Sequence, residues 1–294
     1  MPRARATHAG RRGRTVVELR PVTVPAPDDA RDDADHDAPG SPSLGRLVAV
    51  GLAGGLLSGT FGVGGGIVMV PLLLLVARLE DRRAAATSLA AIVPASLAGV
   101  VTYAARGDVA VGVAVLVAAA AMVGSTIGTR ILRRLRVDVF RWLLAALLVA
   151  AAVQMFVTLP SRDGTIEVTW ALAPGLLALG LVTGVLSGLF GIGGGIVIVP
   201  VLIAVFGVSD LVAKGTSLLV IIPTAITGTV ANARAGMVDV RSGLTVGLAA
   251  GAASAVGASL AGLLSPQLSS VLFGTLMLAF AGQMVQRALR GRRR

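Results

Sequence analysis

Cysteine is absent from the 294 residues, so the chain has no disulfide, no thiolate nucleophile and no cysteine-ligated metal site. The two histidines, His8 and His36, both lie in the first 45 residues. A histidine metal centre or proton relay inside the hydrophobic part of the chain is therefore excluded. Charged residues are also scarce, at 14% of the chain. A soluble domain carries about a quarter.

Long apolar stretches stand where a soluble protein would have charged residues. Hydrophobic residues make up 55% of the chain, and its mean hydropathy is +0.85. Apolar runs close to the roughly 20 residues of a membrane-spanning helix recur between about residue 46 and residue 286. The sequence predicts an all-α polytopic membrane protein of the cell (plasma) membrane, with the lipid bilayer around it.

The two ends of the chain are polar and differ from the rest. Residues 1–45 are rich in arginine, proline and aspartate and lack a periodic apolar face, which predicts a disordered cytoplasmic tail. Residues 290–294 form a basic C-terminus. The net charge is +11, but most arginines stand beside hydrophobic segments, as topology signals do. No nucleic-acid partner is expected.

The chain repeats itself at an offset of 129 residues. Residues 51–71 align with residues 180–200 with 15 identities in 21 positions. The same register pairs the Thr-Ser-Leu runs at 87–89 and 216–218. This self-similarity predicts two transmembrane repeats, which are joined by a linker over 161–174 and span residues 46–160 and 175–289.

The basic residues predict how the two halves are oriented. If each glycine-rich run crosses the membrane once, the 18 lysines and arginines of the loops and C-terminus divide evenly, nine to each side. If each run enters and returns, they divide 15 to 3. Because positive loops stay in the cytoplasm, the second model is favoured. It gives about five segments per half, inverted repeats and cytoplasmic termini.

Each half begins with a glycine-rich stretch, SGTFGVGGG at 58–66 and SGLFGIGGG at 187–195. About thirty residues are too few for two full crossings, so a glycine-broken helical hairpin, re-entrant or short, is predicted. Nucleotide binding is rejected because neither stretch has the spacing or strand context of a phosphate loop. Two interpretations stay open. The glycines permit close helix packing, notably at Gly51 and Gly180, or they form an anion-binding turn at a helix N-terminus.

The paired glycine-rich repeats, each followed by Thr-Ser-Leu and a later proline and glycine, resemble the sulfite exporter TauE/SafE family of membrane permeases over residues 46–289. The resemblance implies a small anionic substrate such as sulfite, sulfoacetate, a related sulfonate or an organic acid. The absence of membrane-embedded histidine, cysteine and paired carboxylates argues against enzymatic activity, and the inverted halves predict a secondary transporter that works by alternating access without a cofactor. The alternatives are a non-transporting membrane scaffold and an anion channel. The oligomeric state stays open, with a homo-oligomer among the options.

The anion interpretation selects the candidate substrate-binding residues, and no catalytic or metal-binding residue is predicted. Lys214, the only lysine, is either a cation that attracts the anion or a lysine that snorkels to the interface. Acidic residues are expected near segment ends, where water reaches them: Asp108, Asp138, Asp210 and Asp239. The substrate-binding candidates are the turn glycines, the nearby hydroxyls, the lysine and one amide: Ser58, Gly62, Gly64, Gly65, Gly66, Thr87, Ser88, Ser187, Gly191, Gly193, Gly194, Gly195, Lys214, Thr216, Ser217 and Asn232.

Overall fold

The computed structural model describes residues 43–157 and 171–291, and these form ten α-helices with no strand among them. The prediction of an all-α protein is therefore confirmed. Most of the predicted tail and linker lie outside the described residues. The helices are α1 (Leu44–Phe61), α2 (Gly66–Val76), α3 (Asp81–Ala104), α4 (Val111–Arg134), α5 (Val137–Val157), α6 (Ala173–Phe190), α7 (Gly195–Ala204), α8 (Asp210–Ala233), α9 (Val240–Ala261) and α10 (Pro266–Gly291).

Eight of these helices are long and apolar enough to cross a membrane. The shortest of the eight, α1 and α6, have 18 residues each. A helix of that length extends about 27 Å, close to the roughly 30 Å of the hydrocarbon layer. The exceptions are α2 and α7, with 11 and 10 residues, which are too short to cross.

The helix boundaries repeat at the offset seen in the sequence. Helix α1 begins at Leu44 and α6 at Ala173, and 173 − 44 = 129. Likewise α3 begins at Asp81 and α8 at Asp210, and 210 − 81 = 129. Local sequence similarity therefore extends to the same order of helices in each half, with equivalent starting residues. The exact limits of the two repeats remain a prediction.

The halves interlock through their first and fourth helices. A β-carbon placed on Gly51 of α1 would lie 2.7 Å from the β-carbon of Ala249 in α9. One placed on Gly180 of α6 would lie 3.0 Å from that of Ala120 in α4. These contacts are equivalent under the repeat, because 249 − 120 = 129. Glycine brings the helix backbones together at both sites, as the packing interpretation of Gly51 and Gly180 expected.

Each half opens with the predicted glycine-broken hairpin. Helix α1 ends where Gly62 takes up a left-handed conformation, with φ of 71°, and donates its N–H to the Ser58 carbonyl at 2.8 Å. Helix α2 then folds back along α1, so that a β-carbon on Gly54 would lie 2.6 Å from Cγ of Met69. In the second half Gly191 ends α6 in the same way, with φ of 71°. Left-handed backbone favours glycine because it lacks a β-carbon.

Helices α3 and α8 run in opposite directions past each other at the centre. Gly99 lies near the end of α3 and faces Leu218 near the start of α8. A β-carbon built on Gly99 would lie 2.7 Å from Cδ1 of Leu218, and one built on the equivalent Gly228 would lie 3.0 Å from Cδ1 of Leu89. Opposite ends of the two helices are therefore neighbours, which is the arrangement of an antiparallel pair.

Candidate functional site

The two glycine turns, residues 62–65 and 191–194, meet each other at the middle of the protein. A β-carbon on Gly66 would lie 2.5 Å from Cα of Ile192, and one on Gly195 would lie 2.5 Å from Cα of Val63. The second glycine of each turn is Gly64 or Gly193, and a β-carbon on either would contact the same two isoleucines, Ile92 of α3 and Ile221 of α8. Both isoleucines stand 11 residues after the start of their helix, since 92 − 81 and 221 − 210 are equal. Gly64 and Gly193 thus lie halfway along α3 and α8.

Most of the turn glycines have backbone conformations that other residues adopt at a cost. The φ angles are 75° at Gly64, 74° at Gly65, 81° at Gly193 and 83° at Gly194. All residues of both turns are buried. Substitution there would strain the backbone as well as fill space, so loss of transport in such variants cannot be assigned to the substrate alone. Other positions are therefore better tests of an anion site.

Two helix N-termini converge on this junction. Helix α2 begins at Gly66 and α7 at Gly195, directly after the left-handed residues Gly65 and Gly194. The first N–H groups of a helix have no partner within it, and the helix dipole makes this end positive. Two helix N-termini that meet, each preceded by a glycine-rich turn, form a site where backbone N–H groups can bind a small anion.

Two serines beside the turns and one on α8 carry hydroxyls that have no hydrogen-bond partner within the described part of the chain. The oxygens are Oγ of Ser58, Ser187 and Ser217, and all three side chains are fully buried. Ser58 and Ser187 are equivalent in the repeat, and each accepts the N–H of the first turn glycine through its backbone carbonyl at 2.8 Å. A buried hydroxyl without a partner is uncommon, because it loses the hydrogen bonds that water would supply. These hydroxyls are free to donate to a bound anion.

The other hydroxyls predicted to bind substrate make hydrogen bonds within the protein. Ser88 donates to the carbonyl of Gly191 at 2.8 Å and so contacts the second turn. The threonines hold loops: Thr87 accepts the N–H of Asp239 at 3.1 Å, and Thr216 accepts that of Ala110 at 2.9 Å. The threonine pair therefore has a structural role that explains its recurrence in both halves.

Lys214 is buried under the first glycine turn. Its side-chain nitrogen donates to Asp210 Oδ2 at 2.9 Å and to Ser269 Oγ at 2.8 Å. A β-carbon on Gly62 would lie 2.5 Å from Cα of Lys214. The lysine is 2% exposed, so the snorkelling interpretation is wrong. Its role as a cation for the substrate stays a prediction.

Sequence reasoning missed the partners of Lys214. Asp210 was expected to be hydrated at a segment end, and the structure corrects this, because it is also 2% exposed. The signal was present in the sequence, since an acid four residues before a lysine lies on the same helix face. No local signal pointed to Ser269, which is 55 residues away along the chain.

Asn232 does not join this cluster. It is fully buried on α8, and neither amide atom has a partner within the described residues. Along α8 it lies 18 residues after Lys214, since 232 − 214 = 18. That is about 27 Å along the helix axis. At the equivalent position of the first half, Tyr103 donates to the carbonyl of Gly59 at 2.8 Å.

Within residues 43–157 and 171–291, no group of three or more metal-ligating side chains comes together. The junction of the turns offers backbone N–H groups, hydroxyls and one lysine. These groups donate hydrogen bonds, and the positive charge of the lysine is paired with Asp210. They suit a small oxyanion.

Comparison with known proteins points to one family. A family model described as "Sulfite exporter TauE/SafE" matches residues 13–155 and 176–294. The probable membrane transporter protein YdhB of Bacillus subtilis is 30% identical over 188 residues, 63% of this chain and 77% of the relative. A probable membrane transporter protein of Xylella fastidiosa is 29% identical over 258 residues, 84% of this chain and 95% of that protein. No solved structure matches the chain significantly.

A third relative matches little more than a third of the chain. The probable membrane transporter protein YunE of Bacillus subtilis is 39% identical over 120 residues, which are 38% of this chain and 44% of the relative. The names of all three relatives describe membrane transporters and give no substrate. The comparisons and the eight long apolar helices together make this chain a multi-pass membrane permease.

Proposed function

The chain belongs to the sulfite exporter TauE/SafE family, and from this premise we propose that it is a secondary transporter of small anions. Its substrates in this proposal are sulfite, sulfonates or related organic acids. The protein moves them across the bilayer and does not transform them chemically. One observation carries the proposal, namely that two glycine turns, two helix N-termini and buried hydroxyls without partners lie together halfway along α3 and α8.

The proposed transport cycle is alternating access between inverted halves. The antiparallel contacts of α3 and α8 support it, because equivalent helices of inverted repeats run in opposite directions through the membrane. If both helices span the bilayer, the glycine turns lie near its midplane. Unwound backbone is tolerated at that depth where protein buries it, as it does here. A site at the contact of two inverted hairpins can open to either side by rocking one half against the other.

The proposal also includes the plasma membrane and cytoplasmic termini. We expect a reporter fused after Arg294 to report the cytoplasm and one inserted at Arg162 to report the opposite side. The reason is that 15 of the 18 lysines and arginines of the loops and C-terminus then lie inside. Paired alkaline phosphatase and fluorescent protein fusions measure both positions. An external signal at Arg294 would contradict the inverted arrangement.

The direct test of function is flux into proteoliposomes. The purified chain should carry sulfite, sulfoacetate or methanesulfonate in preference to chloride, with a rate that saturates as the anion concentration rises. A channel would instead give rates that increase steadily with concentration and with voltage. A scaffold would carry none of these anions.

The unpartnered serine hydroxyls give a test that separates binding from folding. We expect Ser187→Ala to leave stability unchanged or to raise the free energy of unfolding by about 1 kcal/mol, because a buried unsatisfied hydroxyl is unfavourable. The same change should weaken apparent anion affinity about tenfold, because a hydrogen bond to a charged group contributes about 1.5–3 kcal/mol. Thermal melting and the concentration dependence of flux measure the two effects.

Ser125→Ala is the matched control. Ser125 is equally buried, but its hydroxyl donates to the carbonyl of Thr224 at 3.0 Å. Loss of this hydrogen bond should lower the free energy of unfolding by about 1 kcal/mol and leave the apparent affinity for the anion unchanged. If Ser187→Ala behaved like this control, the hydroxyl would have no part in anion binding.

A further inference from the structure

The buried group formed by Asp210, Lys214 and Ser269 has a feature that anion binding alone does not explain. A lysine that served only to attract an anion would be best left without a carboxylate, yet Lys214 donates to Asp210 Oδ2 at 2.9 Å. Both side chains are almost completely buried, at 3% and 4% exposed. Ionisable side chains inside a membrane protein are costly and commonly mark ion or proton pathways.

The pair occurs in only one of the two halves. Under the repeat, Lys214 corresponds to Ala85 and Ser269 to Phe140, since 214 − 85 and 269 − 140 both equal 129. Asp210 has an acidic counterpart, Asp81, but Asp81 pairs with Arg141 of α5 at 2.8 Å. The lysine pair is thus specific to the second half, and it lies under the first glycine turn.

The space beside the pair is too small for an anion while the pair is intact. The cavity has a volume of about 10 Å³ and is lined by both members of the pair and by Ser269, Ser270 and Phe273. Such a volume holds about one water molecule. A sulfonate can therefore reach the nitrogen of Lys214 only by displacing the carboxylate of Asp210. The displaced carboxylate would remain in an apolar environment, where an unpaired negative charge is strongly unfavourable.

We propose that Asp210 is a proton-binding site that couples anion movement to proton movement in the same direction. The inference rests on the proposed transport function. When the anion pairs with Lys214, a proton from water on the open side forms an O–H bond with Asp210 Oδ2, and the ion pair to Lys214 breaks. No electron is transferred. The site has zero net charge before the exchange, as lysine cation and carboxylate, and zero afterwards, as lysine cation, monovalent anion and neutral acid.

Release on the other side reverses these steps. The anion leaves, the proton returns to water and the pair forms again. The empty carrier then carries no net charge at this site across the membrane. The carrier can reorient when the pair is closed or when both anion and proton are bound. If the anion binds and Asp210 takes up no proton, Asp210 stays charged and unpaired, and the carrier does not reorient.

Few other groups on the surrounding elements can compete for this proton. The cavity walls from α1, α5 and α7 are Phe61, Met155 and Val199, and Ser270 of α10 is a neutral hydroxyl. On the side of α3, a β-carbon on Gly215 would lie 2.8 Å from Cβ of Tyr103, whose hydroxyl donates to the Gly59 carbonyl. Asp108 follows the end of α3, outside the cavity walls, and its backbone carbonyl contacts Gly215. Asp210 is thus the only carboxylate among the described cavity walls.

Methanesulfonate is the probe for the test, because its sulfonate stays ionised and cannot carry the proton itself. In one arm, it is added to the unbuffered, detergent-solubilised full chain with a soluble pH dye. In the other, an imposed pH gradient drives its accumulation in proteoliposomes. We expect the wild type to take up about one proton per bound anion, by the charge balance of the site, and to accumulate the anion from the acidic side.

Asp210→Asn should lose both the proton uptake and the pH-driven accumulation. Asp81→Asn is the matched control, because it changes the equivalent acid of the first half, and it should retain both. If Asp210→Asn does not fold, the wild type labelled with isotopic aspartate gives the same information. Its infrared difference spectrum should gain an aspartic acid C=O band when the anion binds, and absence of that band would overturn the inference.

The two arms separate this inference from the proposed function. Anion binding with proton uptake but without flux would refute transport and retain the proton site. Flux without proton movement, or full proton coupling in Asp210→Asn, would overturn the proton site and retain transport. If methanesulfonate showed neither binding nor flux, the proton site and the transport function would both be overturned for sulfonates.

Discussion

Lys214→Met is expected to lower the free energy of unfolding by about 3–5 kcal/mol, the usual cost of leaving one member of a buried ion pair without its partner. The carboxylate of Asp210 is 4% exposed and accepts from Lys214 at 2.9 Å, so methionine of similar length leaves a buried carboxyl group without its partner. The same variant should lose anion flux. Denaturation in mixed detergent micelles measures stability, and proteoliposomes measure flux.

The double variant Asp210→Asn with Lys214→Met is the control for this result. It removes both charges, and replacing a whole buried pair by neutral groups of similar size is often neutral for stability. We expect most of the lost stability to return while flux stays absent. If Lys214→Met alone were as stable as the wild type, the pair of Asp210 and Lys214 would contribute nothing to stability. That outcome would contradict the ion pair as a structural element.

Gly184→Leu is expected to destabilise the protein by about 3 kcal/mol or more, at or beyond the upper end of usual overpacking costs. A β-carbon on Gly184 of α6 would lie 2.7 Å from Cα of Ala121 in α4, and it would contact the Ala121 carbonyl still more closely. Backbone atoms cannot rotate away as a side-chain end can, so helices α4 and α6 would have to separate. Yield of monodisperse protein and melting temperature measure the effect.

Gly282→Leu is the matched control for the packing prediction. Gly282 lies on α10, is exposed, and has no neighbour within 4 Å of a β-carbon built there, within the described part of the chain. Leucine at that position should leave the melting temperature nearly unchanged. If Gly184→Leu were equally well tolerated, the close approach of α4 and α6 would be unnecessary for the fold.

Much of the fold could be predicted from local properties of the sequence. The hydropathy of each segment depends on its own residues, so the all-α membrane architecture followed from the apolar runs. The turns at 62–65 and 191–194 followed from glycine clusters between apolar stretches, because glycine tolerates the left-handed φ of 71° that ends α1 and α6. The ungapped offset of 129 likewise required the same helix order in both halves.

Part of the candidate site was predictable and part was not. The closeness of Ser58 and Ser187 to their turns follows from the sequence, since each serine is four residues before its turn glycine and accepts that glycine's N–H. That Thr87 and Thr216 hold loops was not predictable, because their partners lie 152 and 106 residues away along the chain. Those pairs depend on which helices pack together.

The sequence by itself determined the class of protein, the helical hairpins and the repeat, because each is encoded by neighbouring residues. Only the tertiary structure decided that the two turns meet between Ile92 and Ile221. Only the tertiary structure placed Asp210, Lys214 and Ser269 together in the interior of the protein. Burial decides whether a charge near a helix end is hydrated or paired, and burial depends on helices that are distant in the chain.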